Sequence, residues 1–273
     1  MASTAGKGPI VLVGAGNMGG AMLAGWLKSG VAASDLLVLD PGPAPAMAAL
    51  MAEHGVTHAT AAPAGLSASM LFLAVKPQVM DAVLPPLKGL VGPDTVIVSV
   101  AAGKTLAFLE GHLGAAGMVR AMPNTPAMIG RGVTGAFAND RVTPEARASV
   151  HELLAVSGPV EWVDTEEKID AVTAVSGSGP AYVFHLVECM AEAGRKAGLP
   201  ADLAMRLARE TVSGAGELLH RSPDDAAKLR QNVTSPGGTT AAALSVLMAE
   251  DGMQPLFDKA IEAARRRAQE LAN

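Results

Sequence analysis

The chain has 273 residues, of which 49% are hydrophobic, 17% charged and only 3% aromatic, and its formal net charge is −5. That composition describes a globular protein with material for two cores and excludes a disordered one. The acidic balance, the absence of any basic run longer than Arg265-Arg266-Arg267 and the scarcity of rings for base stacking argue against nucleic acid as a partner, and no apolar run reaches the ~20 residues of a membrane helix.

Residues 1–8 are small and polar and lead straight into Ile10-Val11-Leu12-Val13, too short an apolar run for the core of an export signal, so a cytoplasmic protein is expected. The single cysteine, Cys189, has no partner for an intrachain disulfide and agrees with a reducing compartment. Residues 10–13 read as a strand, Gly14-Ala15-Gly16-Asn17-Met18-Gly19 follows, and residues 21–28 read as a helix closed by Gly30. A Gly-x-Gly-x-x-Gly turn is weak on its own in a chain with 30 glycines, but between a strand and a helix it is the dinucleotide fingerprint. Gly14 would permit the tight turn, Gly16 would let a pyrophosphate lie against the backbone, and Gly19 would let the helix pack close to the strand.

A second strand over 36–39 ends at Asp40, which is 40 − 19 = 21 residues past the last glycine and close to the ~20 expected for an acid that binds the adenosine ribose. A carboxylate there accepts hydrogen bonds from ribose hydroxyls and repels a 2′-phosphate, and Pro41-Gly42-Pro43-Ala44-Pro45 offers no cation in exchange. NADH is therefore expected over NADPH, the bland alternative being that Asp40 only opens the proline-rich turn. Residues 70–75 form a third buried strand with Ala74-Val75-Lys76-Pro77 at its carboxyl end, and a fourth strand over 95–100 ends in Ala101-Ala102-Gly103. Both ends are expected to border the cofactor, as ligands of open parallel sheets do. Lys76 is either a solvated loop residue or a cation facing ribose or phosphate. A short strand at Val119 runs into Pro123-Asn124-Thr125-Pro126, a rigid loop suited to aim an amide and a hydroxyl at the nicotinamide end. A helix over 144–157 and a strand over 160–163 complete the alternation of a doubly wound α/β domain.

From Glu166 onward the chain reads as helix, which sets a boundary between residues 1–163, a dinucleotide-binding Rossmann domain, and 164–273, an all-α helical dimerisation and substrate domain. Ser176-Gly177-Ser178-Gly179-Pro180 opens a helix over 180–197 whose Tyr182, Val183, Phe184, Leu186, Val187 and Met190 spread over almost the whole circumference. Such a helix must be buried all round, and so small a domain cannot cover it, so a second subunit is expected. A helix over 201–220 follows, then one capped by Ser222 ahead of Pro223-Asp224-Asp225. Asn232 precedes Thr234-Ser235-Pro236-Gly237-Gly238-Thr239-Thr240, and helices over 240–249 and 253–271 close the chain. Thr239 or Thr240 is predicted to cap its helix, and the bare glycine backbone plus the helix dipole would suit a carboxylate or phosphate; without a ligand the stretch is simply a turn into a helix.

The six histidines are scattered, so no metal site is expected, and neither Cys189 nor the Ser176–Ser178 turn has a histidine placed by any nucleophile motif. Hydride transfer from a nicotinamide to an anionic imine suits the groups available, with the carboxylate on the N–H groups of Gly237 to Thr239 and the nitrogen on the Thr240 hydroxyl.

Gly14-Ala-Gly-Asn-Met-Gly19, Ala74-Val-Lys-Pro-Gln78, Ser99-Val-Ala-Ala-Gly103, Arg120-Ala-Met-Pro-Asn-Thr-Pro126, Ala174-Val-Ser-Gly-Ser-Gly-Pro-Ala-Tyr182 and Thr234-Ser-Pro-Gly-Gly-Thr-Thr240 span nearly the whole chain in order. In them the sequence resembles the pyrroline-5-carboxylate reductase family, which completes proline biosynthesis. The resemblance implies a Rossmann domain and a helical domain interlocked in a homodimer, with rings of dimers in some members, and a substrate, 1-pyrroline-5-carboxylate, held between the domains. It implies that Thr240 touches the imine nitrogen, that Ser235, Gly237 and Gly238 hold the carboxylate, and that Glu166 and Asn232 lie near the ligands. Relatives often place serine, threonine or basic residues after the second strand and use NADPH; Asp40 departs from that pattern, so both NADH and NADPH stay in view. Two other readings are a β-hydroxyacid dehydrogenase-like oxidoreductase, which needs a lysine soon after the glycine-rich helix start where none occurs before Lys196, and a dinucleotide sensor without turnover.

Overall fold

The computed structural model describes residues 8–272; the opening stretch read above for export signals lies, up to Lys7, outside the described residues. The chain divides into two compact units, Met1–Gly177 with Ala264–Asn273, and Ser178–Ala263. The first runs β1 (Ile10–Val13), α1 (Asn17–Lys28), β2 (Leu36–Leu39), α2 (Pro45–His54), β3 (Thr57–Ala59), β4 (Met70–Leu73), α3 (Met80–Val83), β5 (Val96–Ser99) and α4 (Leu106–Leu113). It continues through β6 (Gly117–Met122), β7 (Thr134–Ala138), α5 (Pro144–Ala155), β8 (Val160–Trp162), α6 (Lys168–Val172) and a π-helical turn, Thr173–Gly177.

One sheet has the order β3-β2-β1-β4-β5-β6-β7-β8. The strands from β3 through β6 are parallel, β7 is antiparallel to β6, and β8 runs with β7. Strands β1, β2, β4 and β5 are buried at every residue, which is why they read as unbroken apolar runs. Successive side chains feed two separate cores. Ile10, Leu12 and Phe72 meet Trp26 of α1 and Leu153 of α5 on one face, while Val11, Leu71 and Ile97 meet Met80, Leu84 and Leu109 on the other. Trp26 is fully buried, stands edge-on to Phe72 with centroids 4.9 Å apart, and donates its Nε1–H to the Leu153 carbonyl at 2.8 Å.

The sequence reading omitted α2, β3, α3 and β7. Pro45 does not extend the proline-rich loop but occupies the first turn of α2, where its fixed φ favours a helix. Strand β3 is a three-residue edge with no apolar pattern, and β7, Thr-Gly-Ala-Phe-Ala, offers a glycine and two alanines against only Thr134 and Phe137 as strand formers. Its direction makes the end of the sheet mixed rather than wholly parallel. Helix α1 begins at Asn17, so Gly19 and Gly20 lie inside its first turn.

The second unit contains α7 (Gly179–Lys196), α8 (Ala201–Arg221), α9 (Ala226–Asn232), α10 (Thr239–Leu247) and the first part of α11 (Met253–Ala272). Small residues bring α7 and α8 together, since a Cβ on Gly194 would lie 3.3 Å from that of Ala204. Within the single chain α7 buries only Ala191 and leaves Phe184 65% exposed, with Val183, Leu186 and Met190 also bare. Helix α9 is capped by Asp225, which accepts the Lys228 N–H at 2.7 Å; Ser222, expected there, instead accepts from Asp224 N–H one turn earlier. No helix among the described residues is long and apolar enough to cross a membrane.

Replacing the fully buried Trp26 with alanine opens a cavity and orphans the Leu153 carbonyl. Trp26→Ala is expected to cost about 3–5 kcal/mol, read as a lower urea midpoint with an unchanged m value.

Candidate functional site

The carboxyl ends of β1, β2, β4 and β5 assemble most of the predicted cofactor residues. Gly14 has φ +91°, and a Cβ there would lie 2.9 Å from both the Ala74 carbonyl oxygen and Val75 Cγ1. A Cβ on Gly19 would run into the Gly14 carbonyl oxygen and lie 3.1 Å from Ala74 Cβ. The glycine turn, the first turn of α1 and the end of β4 are therefore in backbone contact. Gly16 caps α1 with no side-chain hydrogen bond, and a Cβ at Gly16 would meet nothing within 4 Å. That leaves open space in front of helix N–H groups, beside Asn17 and Met18, which is the requirement for a pyrophosphate.

Asp40 does more than open a turn. Its Oδ2 accepts the Ala15 N–H at 2.7 Å and its Oδ1 accepts the Gly42 N–H at 2.8 Å, tying the end of β2 to the glycine turn. Each oxygen keeps a further lone pair for a ribose hydroxyl. Lys76 is exposed and precedes a short 3-10 turn that begins at Pro77. Ala101 is buried and Ala102 half-buried, and Ser99 Oγ accepts the Ala101 N–H at 3.3 Å. The fit to a nicotinamide dinucleotide is thus met by shape and by donors.

Asn124 spends its side chain on the protein: Oδ1 accepts the Val133 N–H at 3.0 Å and Nδ2 donates to Ser176 Oγ at 3.3 Å. Glu166 sits among acids yet differs from them. Asp164 is solvated, its carboxyl held below the usual range by the Lys168 ammonium at 2.7 Å, and Glu167 is likewise lowered by its own backbone N–H and the Thr165 hydroxyl. Glu166 turns inward and its Oε1 accepts the Leu106 N–H at 2.8 Å and lies 3.4 Å from Arg120 Nη1. Arg120, in β6, is 2% exposed, and its Nη2 meets buried Asp170 at 2.9 Å. Sequence reasoning gave Arg120 and Asp170 no role; the available signal was one arginine inside an otherwise apolar strand.

In the second unit, Gly237 has φ +70°, and a Cβ on Gly238 would lie 2.5 Å from Ser235 Oγ, so this turn needs both glycines. Gly238, not a threonine, is the N-cap of α10, with no side-chain cap; Thr239 and Thr240 are its first two helical residues. The cap expected at Thr239 or Thr240 thus falls one or two residues earlier, on a glycine that already supplies the extended cap conformation. The first helical backbone bond runs from Ala242 N–H to the Gly238 carbonyl, so the N–H groups of Thr239 and Thr240 face outward from the helix start. Ser235 and Asn232 are exposed, Asn232 being the last residue of α9.

Residues 166–271 match a family model described as pyrroline-5-carboxylate reductase dimerisation, and residues 9–103 match one described as NADP oxidoreductase, coenzyme F420-dependent. The pyrroline-5-carboxylate reductase of Pseudomonas aeruginosa is 42% identical over 265 residues, 96% of each chain. The chain belongs to the pyrroline-5-carboxylate reductase family. Among solved structures, a pyrroline-5-carboxylate reductase from Coxiella burnetii matches with a TM-score of 0.90 and 34% identity, covering 98% of this chain and 99% of that one. The Plasmodium falciparum pyrroline carboxylate reductase with NADP bound matches with a TM-score of 0.78 and 25% identity, covering 97% and 98%. A dimerisation domain accounts for the uncovered apolar face of α7, which a second copy would bury. The Rossmann-like first unit serves a nicotinamide dinucleotide, as the oxidoreductase match and the glycine turn both require.

Because nothing abuts Gly16, Gly16→Val should leave the thermal midpoint within a few degrees while weakening dinucleotide binding more than about tenfold, measured by quenching of intrinsic fluorescence. A lost midpoint with retained binding would contradict this account of the turn.

Proposed function

We infer that this chain is a pyrroline-5-carboxylate reductase, an NAD(P)H-dependent oxidoreductase that converts 1-pyrroline-5-carboxylate to L-proline, the last step of proline biosynthesis. The observation that carries it is the presence, in a chain of this family, of two helix starts that open on an uncapped glycine: Gly16 at a dinucleotide turn and Gly238 at a turn suited to a small anion. In this reading residues 1–163 bind the cofactor and 164–273 dimerise and bind substrate. Gly14, Gly16, Asn17, Met18 and Gly19 would hold the pyrophosphate, Asp40 the adenosine ribose, and Ala74 to Pro77, Ala101, Ala102 and Asn232 the remainder, while Asn124 would shape the loop beside the cofactor through its bonds to Val133 and Ser176 instead of offering its amide.

The bound dinucleotide supplies the hydride that ends on the imine carbon. The protein supplies position. The Ser235 hydroxyl and the N–H groups of Gly237 and Thr239 hold the substrate carboxylate, which the positive end of the α10 dipole favours; the Gly238 N–H, expected to join them, already donates to the Ser235 carbonyl at 3.1 Å. The Thr240 hydroxyl meets the ring nitrogen, which gains an electron pair and a proton as the double bond is reduced. Fixing both ends of a small rigid ring leaves one orientation for the imine carbon, and that restriction contributes much of the rate. Asp40 favours NADH, because its carboxylate would face a 2′-phosphate with no cation nearby in the following loop. The active form is at least a homodimer, working in the cytoplasm.

The founding test follows the absorbance of NADH and, separately, NADPH after addition of pyrroline-5-carboxylate, with proline quantified. Consumption with proline formed establishes the reaction; neither cofactor consumed by folded protein overturns it. Thr240→Ala should lower kcat by about a hundredfold with cofactor affinity within twofold, and an unchanged kcat removes Thr240 from the mechanism. Asp40→Ser should raise the NADPH-to-NADH ratio of kcat/KM about tenfold or more, equivalent to about 1.4 kcal/mol; an unmoved ratio assigns cofactor choice elsewhere.

A further inference from the structure

We propose that Glu166 and Arg120 are positioning residues for the cofactor loop between β5 and α4, and that Glu166 acts through the Leu106 N–H instead of touching the substrate. The proposal rests on the reading that this loop, with Ala101 and Ala102, borders the dinucleotide.

The loop leaves β5 at Ser99 and enters α4 at Leu106. Its first end is fastened by Ser99 Oγ, which accepts the Ala101 N–H. Its middle carries Gly103 at φ +71°, with Leu271 of α11 close enough that a Cβ at Gly103 would lie 2.8 Å from the leucine Cβ. Its last end is fastened twice. Thr105 Oγ1 accepts the Phe108 N–H at 3.2 Å, and Glu166 Oε1, 60 residues away in sequence, accepts the Leu106 N–H at 2.8 Å. A carboxylate on the first N–H groups of a helix is a strong placement, charge-assisted and aligned with the dipole.

Arg120 holds that carboxylate in place. It pairs in register with Ser99 across β5 and β6, so the guanidinium lies at the strand position from which the loop departs. Nη1 reaches Glu166 and Nη2 reaches Asp170, linking the end of β6 to both sides of the start of α6. The arrangement is expensive. One cation serves two carboxylates, Arg120 is 2% exposed, and its Nε is buried without a partner among the described residues. A packed apolar cluster would serve the fold as well or better, because breaking-even is the best that most buried ion pairs achieve. What an apolar cluster could not do is aim an acceptor at the Leu106 N–H. The charge network therefore sets geometry at the loop.

The test uses the full chain and compares Glu166→Ala with Glu166→Gln. Glutamine keeps an oxygen acceptor for the Leu106 N–H and alanine removes it. NADH dissociation constants are measured by fluorescence, and KM for pyrroline-5-carboxylate at saturating NADH. Glu166→Ala is expected to weaken NADH about tenfold with the imine KM within twofold, and Glu166→Gln to recover NADH affinity to within about threefold. Equal weakening by both variants would overturn the route through Leu106. Raised imine KM with unchanged NADH affinity would overturn the proposal and make Glu166 a substrate ligand. Unaltered constants in both would also overturn it. Should Glu166→Ala fail to fold, Leu106→Pro deletes the same N–H at a helix position that favours proline, and must weaken NADH comparably. If the wild-type chain binds NADH but reduces no imine, the functional reading fails while the loop comparison still stands on binding.

Discussion

The meeting of three backbones at the carboxyl end of β1 is the constraint on which the molecule depends. Gly14, Gly19 and Ala74 come so close that no side chain fits between them, and the close fit locks α1 onto the parallel sheet. From this fixed point the rest of the edge is placed: Asp40 reaches back to Ala15, Leu39 accepts the Gly14 N–H at 2.8 Å, and β4 presents Ala74 and Val75 to the same hollow. Two independent cores, one on each face of the sheet, then hold that edge against displacement.

Function follows from how helix starts are finished. The starts of α4, α5 and α9 are closed by their own side chains, Thr105, Thr143 and Asp225. Those of α1 and α10 lack a side-chain cap, as do those of α2, α7 and α8, at Ala44, Ser178 and Pro200, but only α1 and α10 of these five open on a glycine, where no side chain covers the first N–H groups. These two glycine starts belong to different compact units, and in the proposed function the first takes a pyrophosphate and the second a small carboxylate. An enzyme that must bring a dinucleotide and an amino-acid-like imine together needs both.

Local signals were legible in the sequence and long-range ones were not. The β1 run, the glycine turn and Asp40 follow a fixed spacing because the Rossmann unit is built from contacts near in sequence, and each was readable. The Ser-Pro-Gly-Gly turn was readable too, although its cap was assigned to threonine, since serine and threonine usually take that position and glycine does so silently. Nothing near Glu166 in sequence reveals that it faces Leu106, 60 residues away, and Arg120, 46 residues away. Strand β7 escaped notice for a different reason: its Gly135 is needed to admit Val172, whose Cγ1 would lie 2.5 Å from a Cβ there, so packing puts a glycine where a bulky residue would help to announce a strand.

Helix α11 starts in the second unit and ends in the first, where Leu271 lies against Gly103. The cofactor-binding unit is accordingly discontinuous, and its loop after β5 receives a packing partner from the far end of the chain. During synthesis, which proceeds from the amino terminus, the sheet can close as soon as β8 has emerged, but that loop stays unbuttressed until the whole helical unit has followed. Leu271 thus ties the edge loop of the first unit to a helix that the chain reaches only after α7 to α10 have been made.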